Sequence, residues 1–506
     1  MNISTSLTLN ANRHPEKLAV VCEGRTYTYQ QLNEEVNRYA NGLRKLGYEK
    51  GQKAAIFMKN SDHFVIAFYA LIKAGFVIVP VNFRLTAHET SYILNQSDTV
   101  VVICDQEFEE TIAKSCESAE HVAHVFVVEE ATYSEHKSFA SLKDDAISEP
   151  DVVVKRTDDA EILFTSGTTG LPKGALFDHE RIINVNTGVI MGTEMNANDR
   201  LIHLAPMFHS AQLNLFVITG IMLGTLNVIH RDFNPVEVLK AIDDYKITYF
   251  FGVPAMYNAL LQVPNSESYD LSSIQKCFYG AAPMAPKMIE QSVELFGTDQ
   301  FYNLCGLTEA GPGGVILYPE DHKTKLGAGG KAMFLTNARV VNDDFEDVAP
   351  GETGEFILKG ETIMKEYYKK PEETQKTFRD GWLLTGDMAT VDEEGYITIV
   401  DRKKDMIISG GENVYSVEVE QVLNSHPKVL EAATIGFPSE KWGEVVGGVI
   451  VVKEGETIDE EELKAFCREK LAGYKIPRQF EYVDQLPRNA SGKILKYQLR
   501  ETLEQS

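Results

Sequence analysis

The residues best suited to chemistry form a loop rich in glycine, serine and threonine within residues 162–174. The segment reads Ile-Leu-Phe-Thr-Ser-Gly-Thr-Thr-Gly-Leu-Pro-Lys-Gly, an apolar stretch followed by small and hydroxylic residues and one lysine. Glycines let backbone N–H groups approach phosphate oxygens, hydroxyls add donors, and Lys173 adds positive charge. The spacing does not fit G-x-x-x-x-G-K-[ST], so this is not a Walker P-loop. Taken alone, it is a flexible surface loop or a phosphate-binding loop.

Six further short motifs follow the loop along the chain, and each is ordinary in isolation. A Thr-Glu pair is usually an exposed pair of surface residues. An Asp after Gly usually caps a turn, and the lysine of a Ser-Gly-Lys turn is usually solvated. The motifs are Gly280-Ala-Ala-Pro283, Gly306-Leu-Thr-Glu309, Trp382-Leu-Leu-Thr-Gly-Asp387, Asp401-Arg-Lys-Lys404, Gly410-Gly-Glu-Asn413 and Asn489-Ala-Ser-Gly-Lys493. With the loop, they resemble in content and order the signature of the adenylate-forming acyl-CoA synthetases. The resemblance spans the chain from about Tyr27 to Lys496.

The resemblance implies a site for ATP and Mg²⁺. The loop is expected to wrap the β- and γ-phosphates, and Thr308 and Glu309 are expected near the α-phosphate. Glu309 would hold Mg²⁺ as a hard oxygen ligand, with Thr165 as a second ligand. Asp387 is expected to accept hydrogen bonds from both ribose hydroxyls. The implied nucleotide-binding residues are Thr165, Ser166, Gly167, Thr168, Thr169, Gly170, Lys173, Gly280, Ala281, Ala282, Asn303, Cys305, Gly306, Asp387 and Arg402.

One of these positions departs from the family. The residue before Gly306 is commonly an aromatic that stacks on adenine, and this chain has Cys305 there. A thiol offers less stacking surface, which would weaken ATP binding without removing a catalytic group.

The catalytic residues that the resemblance implies are Thr308, Glu309, His209 and Lys493. Lys493 is expected to bridge carboxylate and α-phosphate oxygens, where negative charge builds during in-line attack. A preorganised cation in that place stabilises a transition state by roughly 3 kcal/mol. His209, in Pro206-Met-Phe-His209, matches a position that gates the acyl pocket in relatives.

The resemblance also implies that a mobile C-terminal domain serves two half-reactions in turn. Lys404 matches the hinge position. One orientation would bring Lys493 to the site, and rotation would then present Gly410 and Gly411, whose missing side chains leave room for the pantetheine arm of CoA. Trp442 falls where related ligases place an aromatic near the CoA nucleotide.

Helix and strand patterns alternate along the parts of the chain that must position these residues. We predict helices over Tyr29–Leu46 and Phe64–Ala74, and buried strands over Lys53–Met58 and Phe76–Val81. Later helices are expected at Pro235–Tyr245, Pro286–Phe296, Ser416–Asn424 and Asp459–Leu471. Such alternation indicates α/β layers around mostly parallel sheets.

The predicted fold class is therefore α/β. It comprises a large N-terminal domain of two doubly wound subdomains plus a small β-barrel-like subdomain, followed by a small α+β C-terminal domain. Short strands with turn signals between Gly327 and Val400 indicate the barrel-like part. The polar stretch 105–159 is predicted to form peripheral elements. The predicted domains are residues 1–401 and 402–506, divided at the charged turn that begins with Asp401.

Composition excludes several classes of protein. Of the 506 residues, 43% are hydrophobic and 24% are charged, which is ordinary for a globular protein. The net charge of −25 disfavours nucleic acid and anionic membrane surfaces as main partners. No apolar run is long enough to span a bilayer, and the polar N-terminus lacks a signal-peptide core. Six scattered cysteines indicate reduced thiols, so a cytoplasmic location is expected.

The sequence therefore predicts an acid–thiol ligase that uses ATP, Mg²⁺ and CoA. A carboxylate would attack the α-phosphate of ATP to give an acyl-adenylate and pyrophosphate, and CoA would displace AMP. A medium- or long-chain fatty acid is the first substrate class, and an aromatic acid such as a benzoate or cinnamate is the alternative. A carrier-protein acceptor, a luciferase-type oxygenase, a nucleotide sensor and a homodimer also stay open. Leu213, Phe216 and Val253 are the apolar candidates for the acyl pocket.

Overall fold

Two large sheets of mostly parallel strands carry the N-terminal part of the chain in the computed structural model. The structure describes residues 1–165, 171–280, 284–409, 412–439, 443–488 and 494–504. The chain divides into two compact units. The first unit comprises Met1–Ala338 and Ile357–Leu384, and the second comprises Arg339–Phe356 and Thr385–Ser506.

The first sheet has nine strands, of which the middle six are parallel. Their spatial order is Lys331–Ala332, Gly314–Leu317, Phe301–Gly306, Lys276–Gly280, Tyr249–Gly252, Arg200–His203, Leu226–Ile229, Leu18–Cys22 and Arg25–Thr28. Its parallel strands are apolar and buried because helices cover both faces of such a sheet.

The second sheet has eight strands and also contains six parallel ones. Their spatial order is Glu366–Tyr367, Lys173–Asp178, Asp159–Thr165, Val77–Pro80, Lys53–Phe57, Thr99–Asp105, His124–Val128 and Lys137–Ser138. The polar stretch 105–159 thus contributes the last two strands at one edge, which agrees with its predicted peripheral place.

Side-chain caps mark the start of several helices of the first unit. The helix Tyr29–Lys45 begins at a capping box, in which Gln31 N–H donates to Thr28 Oγ1 at 3.2 Å and Thr28 N–H donates to Gln31 Oε1 at 2.9 Å. The α-helices of this unit are Thr5–Arg13, Tyr29–Lys45, Asp62–Ala74, Ala87–Gln96, Glu109–Cys116, His179–Thr193, Ile218–Leu223, Pro235–Tyr245, Pro254–Leu261, Pro286–Phe296, His322–Lys325 and Pro371–Thr377. The segment Ala211–Val217 is a π-helix, which the sequence analysis missed.

The second unit contains a five-stranded sheet and three α-helices among its described residues. The strands in spatial order are Glu412–Val414, Ile407–Ser409, Gly443–Val452 and Val429–Ser439, with Gln479–Tyr482 parallel to Gly443–Val452. The helices are Ser416–Asn424, Glu460–Arg468 and Lys496–Glu504. The helix Glu460–Arg468 is shorter at both ends than the predicted Asp459–Leu471. It begins at Glu460 because Asp459 is the N-cap and accepts a hydrogen bond from Glu462 N–H at 2.9 Å.

The chain passes between the units within the strands Thr336–Val341, Thr353–Gly360 and Trp382–Val391. In the second unit, the end of the last strand pairs antiparallel with Ile397–Arg402. The prediction of short strands in this region is only partly right, because Thr353–Gly360 has 8 residues and Trp382–Val391 has 10. The α/β class, with a large N-terminal and a small C-terminal part, is confirmed. No helix among the described residues is long and apolar enough to cross a bilayer.

Candidate functional site

The carboxyl ends of the parallel strands of the nine-stranded sheet lie at one edge. The order in which successive strands are added to the sheet also reverses there. Leu226–Ile229 lies on one side of Arg200–His203, and Tyr249–Gly252, which follows it in sequence, lies on the other. Ligands of open α/β sheets bind at the carboxyl ends of strands near such a reversal. Gly280 ends one of these strands, and a Cβ there would lie 2.4 Å from the carbonyl oxygen of Leu304. The strand ends can pack this closely only because the residue is glycine.

Three of the predicted residues come together at this edge. Thr165 ends the strand Asp159–Thr165, and its Oγ1 donates to Oε1 of Glu309 at 3.3 Å. Glu309 and Thr308 lie in a 3₁₀ turn that starts two residues after the strand Phe301–Gly306. The hydroxyls of Thr308 and Ser210 are 3.3 Å apart. Residues far apart in sequence therefore form one polar cluster.

Lys173 lies in the same unit and is held by an anionic partner. Its Nζ is 3.2 Å from Oε2 of Glu373. The other oxygen of that carboxylate, Oε1, is 3.1 Å from Nζ of Lys376. The hydrogen bonds from Lys376 and Lys173 hold the pKa of Glu373 below its usual range. Lys173 of the glycine-rich segment is thus paired with a carboxylate in the structure. Sequence reasoning missed Glu373.

His209 lies on an ordered turn before the π-helix Ala211–Val217. Its Nδ1 accepts a hydrogen bond from Ala211 N–H at 3.2 Å, so the proton of the neutral ring lies on Nε2. Burial lowers the pKa of His209, which favours this neutral form. Asn60 fixes the preceding backbone, because its Nδ2 donates to Ala205 O at 2.9 Å and its Oδ1 accepts from Met207 N–H at 2.7 Å. Sequence reasoning missed this buried amide.

Asn303, Cys305 and Gly306 lie on the strand Phe301–Gly306, beside the end of Lys276–Gly280. The amide of Asn303 donates to Ala328 O at 3.1 Å. Cys305 is half-buried and Gly306 is exposed. These residues thus lie on the same strand that leads into the Thr308–Glu309 turn.

The candidate acyl-pocket residues are packed more tightly than the sequence suggested. Leu213 is 0% exposed and Phe216 is 3% exposed, and both belong to the π-helix. The Phe216 ring stacks on Phe251 with centroids 4.9 Å apart. Of the three candidates, only Val253 is half-buried. Leu213 and Phe216 therefore contact protein atoms over nearly their whole surface.

In the second unit, Asp387 and Arg402 face each other on neighbouring antiparallel strands. Arg402 Nε lies 2.5 Å from Asp387 Oδ1, and both side chains are partly exposed. Lys404 follows in an exposed turn. This unit therefore presents a carboxylate and a guanidinium side by side.

Several predicted site residues lie outside the described residues. These are Ser166, Gly167, Thr168, Thr169, Gly170, Ala281, Ala282, Gly410, Gly411, Trp442 and Lys493. Their roles stay predictions.

The oxygens of Glu309 and Thr165 fit a magnesium ion. No group of three or more His, Cys, Asp or Glu side chains within the described ranges forms a ready-made metal cage. Mg²⁺ in nucleotide sites is usually bound by one or two carboxylates together with phosphate oxygens and water. Both hydrogen bonds found at the Glu309 carboxylate fall on Oε1. A single carboxylate with one oxygen anchored suits such an ion.

Comparison with known proteins agrees with this geometry. The family described as AMP-binding enzyme matches residues 7–368, and the AMP-binding enzyme C-terminal domain matches residues 418–493. A feruloyl-CoA synthase of Amycolatopsis is 38% identical over 490 residues, covering 97% of this chain and 96% of its own. A long-chain-fatty-acid–CoA ligase of Mycobacterium tuberculosis is 37% identical over 477 residues, covering 94% and 92%.

A solved structure extends the comparison to three dimensions. The o-succinylbenzoate–CoA synthetase of Bacillus subtilis, in complex with ATP and magnesium ion, is 30% identical with a TM-score of 0.86. The match covers 99% of both chains. The chain therefore belongs to the AMP-binding enzyme family, within the adenylate-forming superfamily of acyl-CoA synthetases.

Proposed function

We propose that this protein converts a carboxylic acid into its CoA thioester through an acyl-adenylate, releasing AMP and pyrophosphate. The observation that carries the proposal is the hydrogen bond between Thr165 and Glu309 at the carboxyl ends of the parallel strands. It joins the end of the glycine-rich loop to the Thr-Glu motif in one polar site. Mixed-anhydride activation splits one difficult acyl transfer into two easier steps.

The residues of the first unit would bind the nucleotide and the carboxylate. Lys173 would leave Glu373 to contact the β- and γ-phosphates, and Thr308 would donate to the α-phosphate. Neutral His209, with its proton on Nε2, would donate a hydrogen bond toward the carboxylate. Gly280, with Ala281 and Ala282, would supply the small residues beside which the adenine lies.

Glu309 and Thr165 would hold Mg²⁺, which would neutralise phosphate charge and orient the pyrophosphate leaving group. Glu309 supplies an anionic oxygen, and Thr165 fixes that carboxylate through its hydroxyl. The donor set is oxygen only, as a hard cation prefers.

The C-terminal residues would divide the two half-reactions between them. Asp387 and Arg402 would contact the ribose, and Lys493 would stabilise charge during adenylation. Turning about Lys404 would then replace Lys493 with Gly410-Gly411, next to which CoA would enter, with Trp442 near its nucleotide. In this proposal the mobile domain is residues 402–506 and the nucleotide-binding domain is residues 1–401.

We propose a medium- or long-chain fatty acid as the substrate, which the likeness to a long-chain-fatty-acid–CoA ligase supports. An aromatic acid is the second candidate, and the similarity to a feruloyl-CoA synthase favours it. Apolar pockets separate neighbouring chain lengths by only about 1–3 kcal/mol per methylene, so a range of acids is expected to react.

Pyrophosphate release from ATP and Mg²⁺ tests the proposal across a panel of fatty and aromatic acids, each with and without CoA. Continuous turnover that requires CoA and peaks in one acid class supports the proposal and identifies the class. A single burst of pyrophosphate without CoA turnover would indicate a carrier-protein acceptor. Glu309→Gln tests the proposed role of the carboxylate, because it keeps the shape of the side chain and removes its charge. Silence across the whole panel, or equal activity of Glu309→Gln, would refute the proposal.

A further inference from the structure

Tyr367 contacts both Glu309 and Lys173, the two oppositely charged side chains that are proposed to bind Mg²⁺ and ATP. Its hydroxyl donates to Oε1 of Glu309 at 2.7 Å. The Nζ of Lys173 lies 4.6 Å from the centroid of its ring. The side chain is 5% exposed. One buried aromatic residue thus contacts both the carboxylate of the Thr-Glu motif and the lysine of the phosphate loop.

The backbone around Tyr367 is tied to the same two segments. The short strand Glu366–Tyr367 pairs antiparallel with Lys173–Asp178, with Tyr367 opposite Ala175. Met364 N–H donates to Glu309 O at 2.8 Å. Tyr367 N–H donates to Thr374 Oγ1 at 3.0 Å. These bonds fix the position of the ring and its hydroxyl relative to both charged side chains.

The contacts leave the Glu309 carboxylate with one oxygen anchored. Tyr367 at 2.7 Å and Thr165 at 3.3 Å both donate to Oε1. A carboxylate that is held through one oxygen presents the other in a fixed direction, which is how hydrogen-bonding neighbours orient metal ligands.

We propose that Tyr367 is a positioning residue that orients Glu309 for the metal and Lys173 for the phosphates before the nucleotide binds. This inference rests on the proposed function. The hydroxyl acts on the carboxylate through a hydrogen bond, and the ring face acts on the ammonium group through a cation–π contact. In this proposal Tyr367 acts only through Glu309 and Lys173.

The two contacts can be removed one at a time. Tyr367→Phe keeps the ring and deletes the hydroxyl, so it releases Glu309 and leaves the contact with Lys173. Loss of such a supporting hydrogen bond typically weakens metal affinity by about 10- to 100-fold. Tyr367→Leu also deletes the ring, and it is expected to weaken nucleotide binding even without a divalent metal.

The experiment measures metal binding directly. Mn²⁺ is titrated into the full-length protein saturated with α,β-methylene-ATP, an analogue that cannot be cleaved at the reacting bond, and free Mn²⁺ is read by electron paramagnetic resonance. We expect half-saturation to require about tenfold more Mn²⁺ in Tyr367→Phe than in the wild type. Binding of the analogue with no divalent metal is expected to be unchanged in Tyr367→Phe and weaker in Tyr367→Leu.

The neighbouring tyrosine provides a matched control. The hydroxyl of Tyr368 donates to Asp98 Oδ2 at 2.9 Å, so Tyr368→Phe also removes one tyrosine–carboxylate hydrogen bond, but not one to Glu309. Equal Mn²⁺ affinity in Tyr367→Phe and wild type, or an equal loss in Tyr368→Phe, overturns the positioning role alone. A wild-type protein that binds no metal–nucleotide complex overturns the proposed function, and the positioning role with it.

Discussion

A buried carboxyl group on the strand that ends at Thr165 should make stability depend on pH. Glu161 lies on the strand Asp159–Thr165 and is 0% exposed. Its Oε2 accepts a hydrogen bond from Asn214 Nδ2 at 3.2 Å. Within the part of the chain that the structure describes, its Oε1 has no hydrogen-bond partner, and the buried hydroxyl of Tyr69 has none either. Burial raises the pKa of Glu161 to about 8, which the one amide hydrogen bond offsets only in part.

The sign and size of the effect follow from that pKa. In the unfolded chain the carboxyl group titrates near 4.5, whereas in the folded protein it keeps its proton up to about pH 8. Between these values the folded state binds more protons than the unfolded state, so the free energy of unfolding falls as pH rises. Between the two pKa values, each rise of one pH unit lowers the free energy of unfolding by about 1.4 kcal/mol. The total loss is therefore about 5 kcal/mol above pH 8. Below pH 4.5 the group has no effect.

Glu161→Gln should remove this dependence, because the amide has the same shape, can still accept from Asn214 and does not ionise. Urea unfolding of both proteins would be followed at about pH 5.5, 7 and 8.5, and the difference between their free energies of unfolding cancels other titrating groups. We expect the variant to gain about 3 kcal/mol relative to wild type between about pH 5.5 and 8.

The exposed Glu130 provides the control, since Glu130→Gln should leave the pH dependence unchanged. A constant difference between wild type and Glu161→Gln across this pH range would refute the reasoning, because the carboxylate would then be ionised and solvated in the folded protein.

Three more outcomes are expected. Glu373→Gln should raise ATP affinity severalfold at low salt and less at high salt, because Lys173 would no longer leave an ion pair; equilibrium binding measures this. Gly280→Ala should lower the free energy of unfolding by about 2 kcal/mol in urea denaturation, because its Cβ would approach Leu304 O at 2.4 Å. Lys493→Ala should slow adenylation by about 100-fold and spare thioester formation from supplied acyl-adenylate, as single-turnover assays of each half-reaction would resolve.

Controls for these variants lie close by in the chain. Glu372→Gln removes an exposed neighbouring charge and should leave ATP affinity unchanged. Gly192→Ala adds a Cβ at an ordinary 3.5 Å from its nearest neighbour and should not lower stability. Unchanged ATP affinity in Glu373→Gln, or equal stability of the two alanine variants, would contradict the corresponding argument. Equal loss of both half-reactions in Lys493→Ala would contradict domain alternation.

Local patterns in the sequence determined much of the secondary structure. The bounds predicted for Pro235–Tyr245, Pro286–Phe296 and Ser416–Asn424 are those of the structure. Proline at the first helical position and the period of the apolar face are signals carried by neighbouring residues. The α/β class follows from the alternation of such segments, and the family was identified from short motifs in a fixed order.

The same motifs placed Thr165 and Glu309 in one predicted site, and the structure brings them within hydrogen-bond distance. Their chemistry was readable because hydroxyls, a carboxylate and a lysine recur at characteristic spacings. The roles of these residues stay predictions until the variants are measured.

Only the tertiary structure decided which side chains support the site. Nothing next to Tyr367 in the sequence indicates that its hydroxyl reaches Glu309, and nothing beside Glu161 indicates that it is fully buried. The apolar character of Phe216 suggested a pocket wall, which stays a prediction, and only the packing shows that its ring stacks on Phe251. Helix caps and apolar periods act over a few residues, but these contacts depend on strand register and on how sheets and helices pack. The sequence therefore identified the chemical groups, and the packing of distant segments determined their partners, burial and charge state.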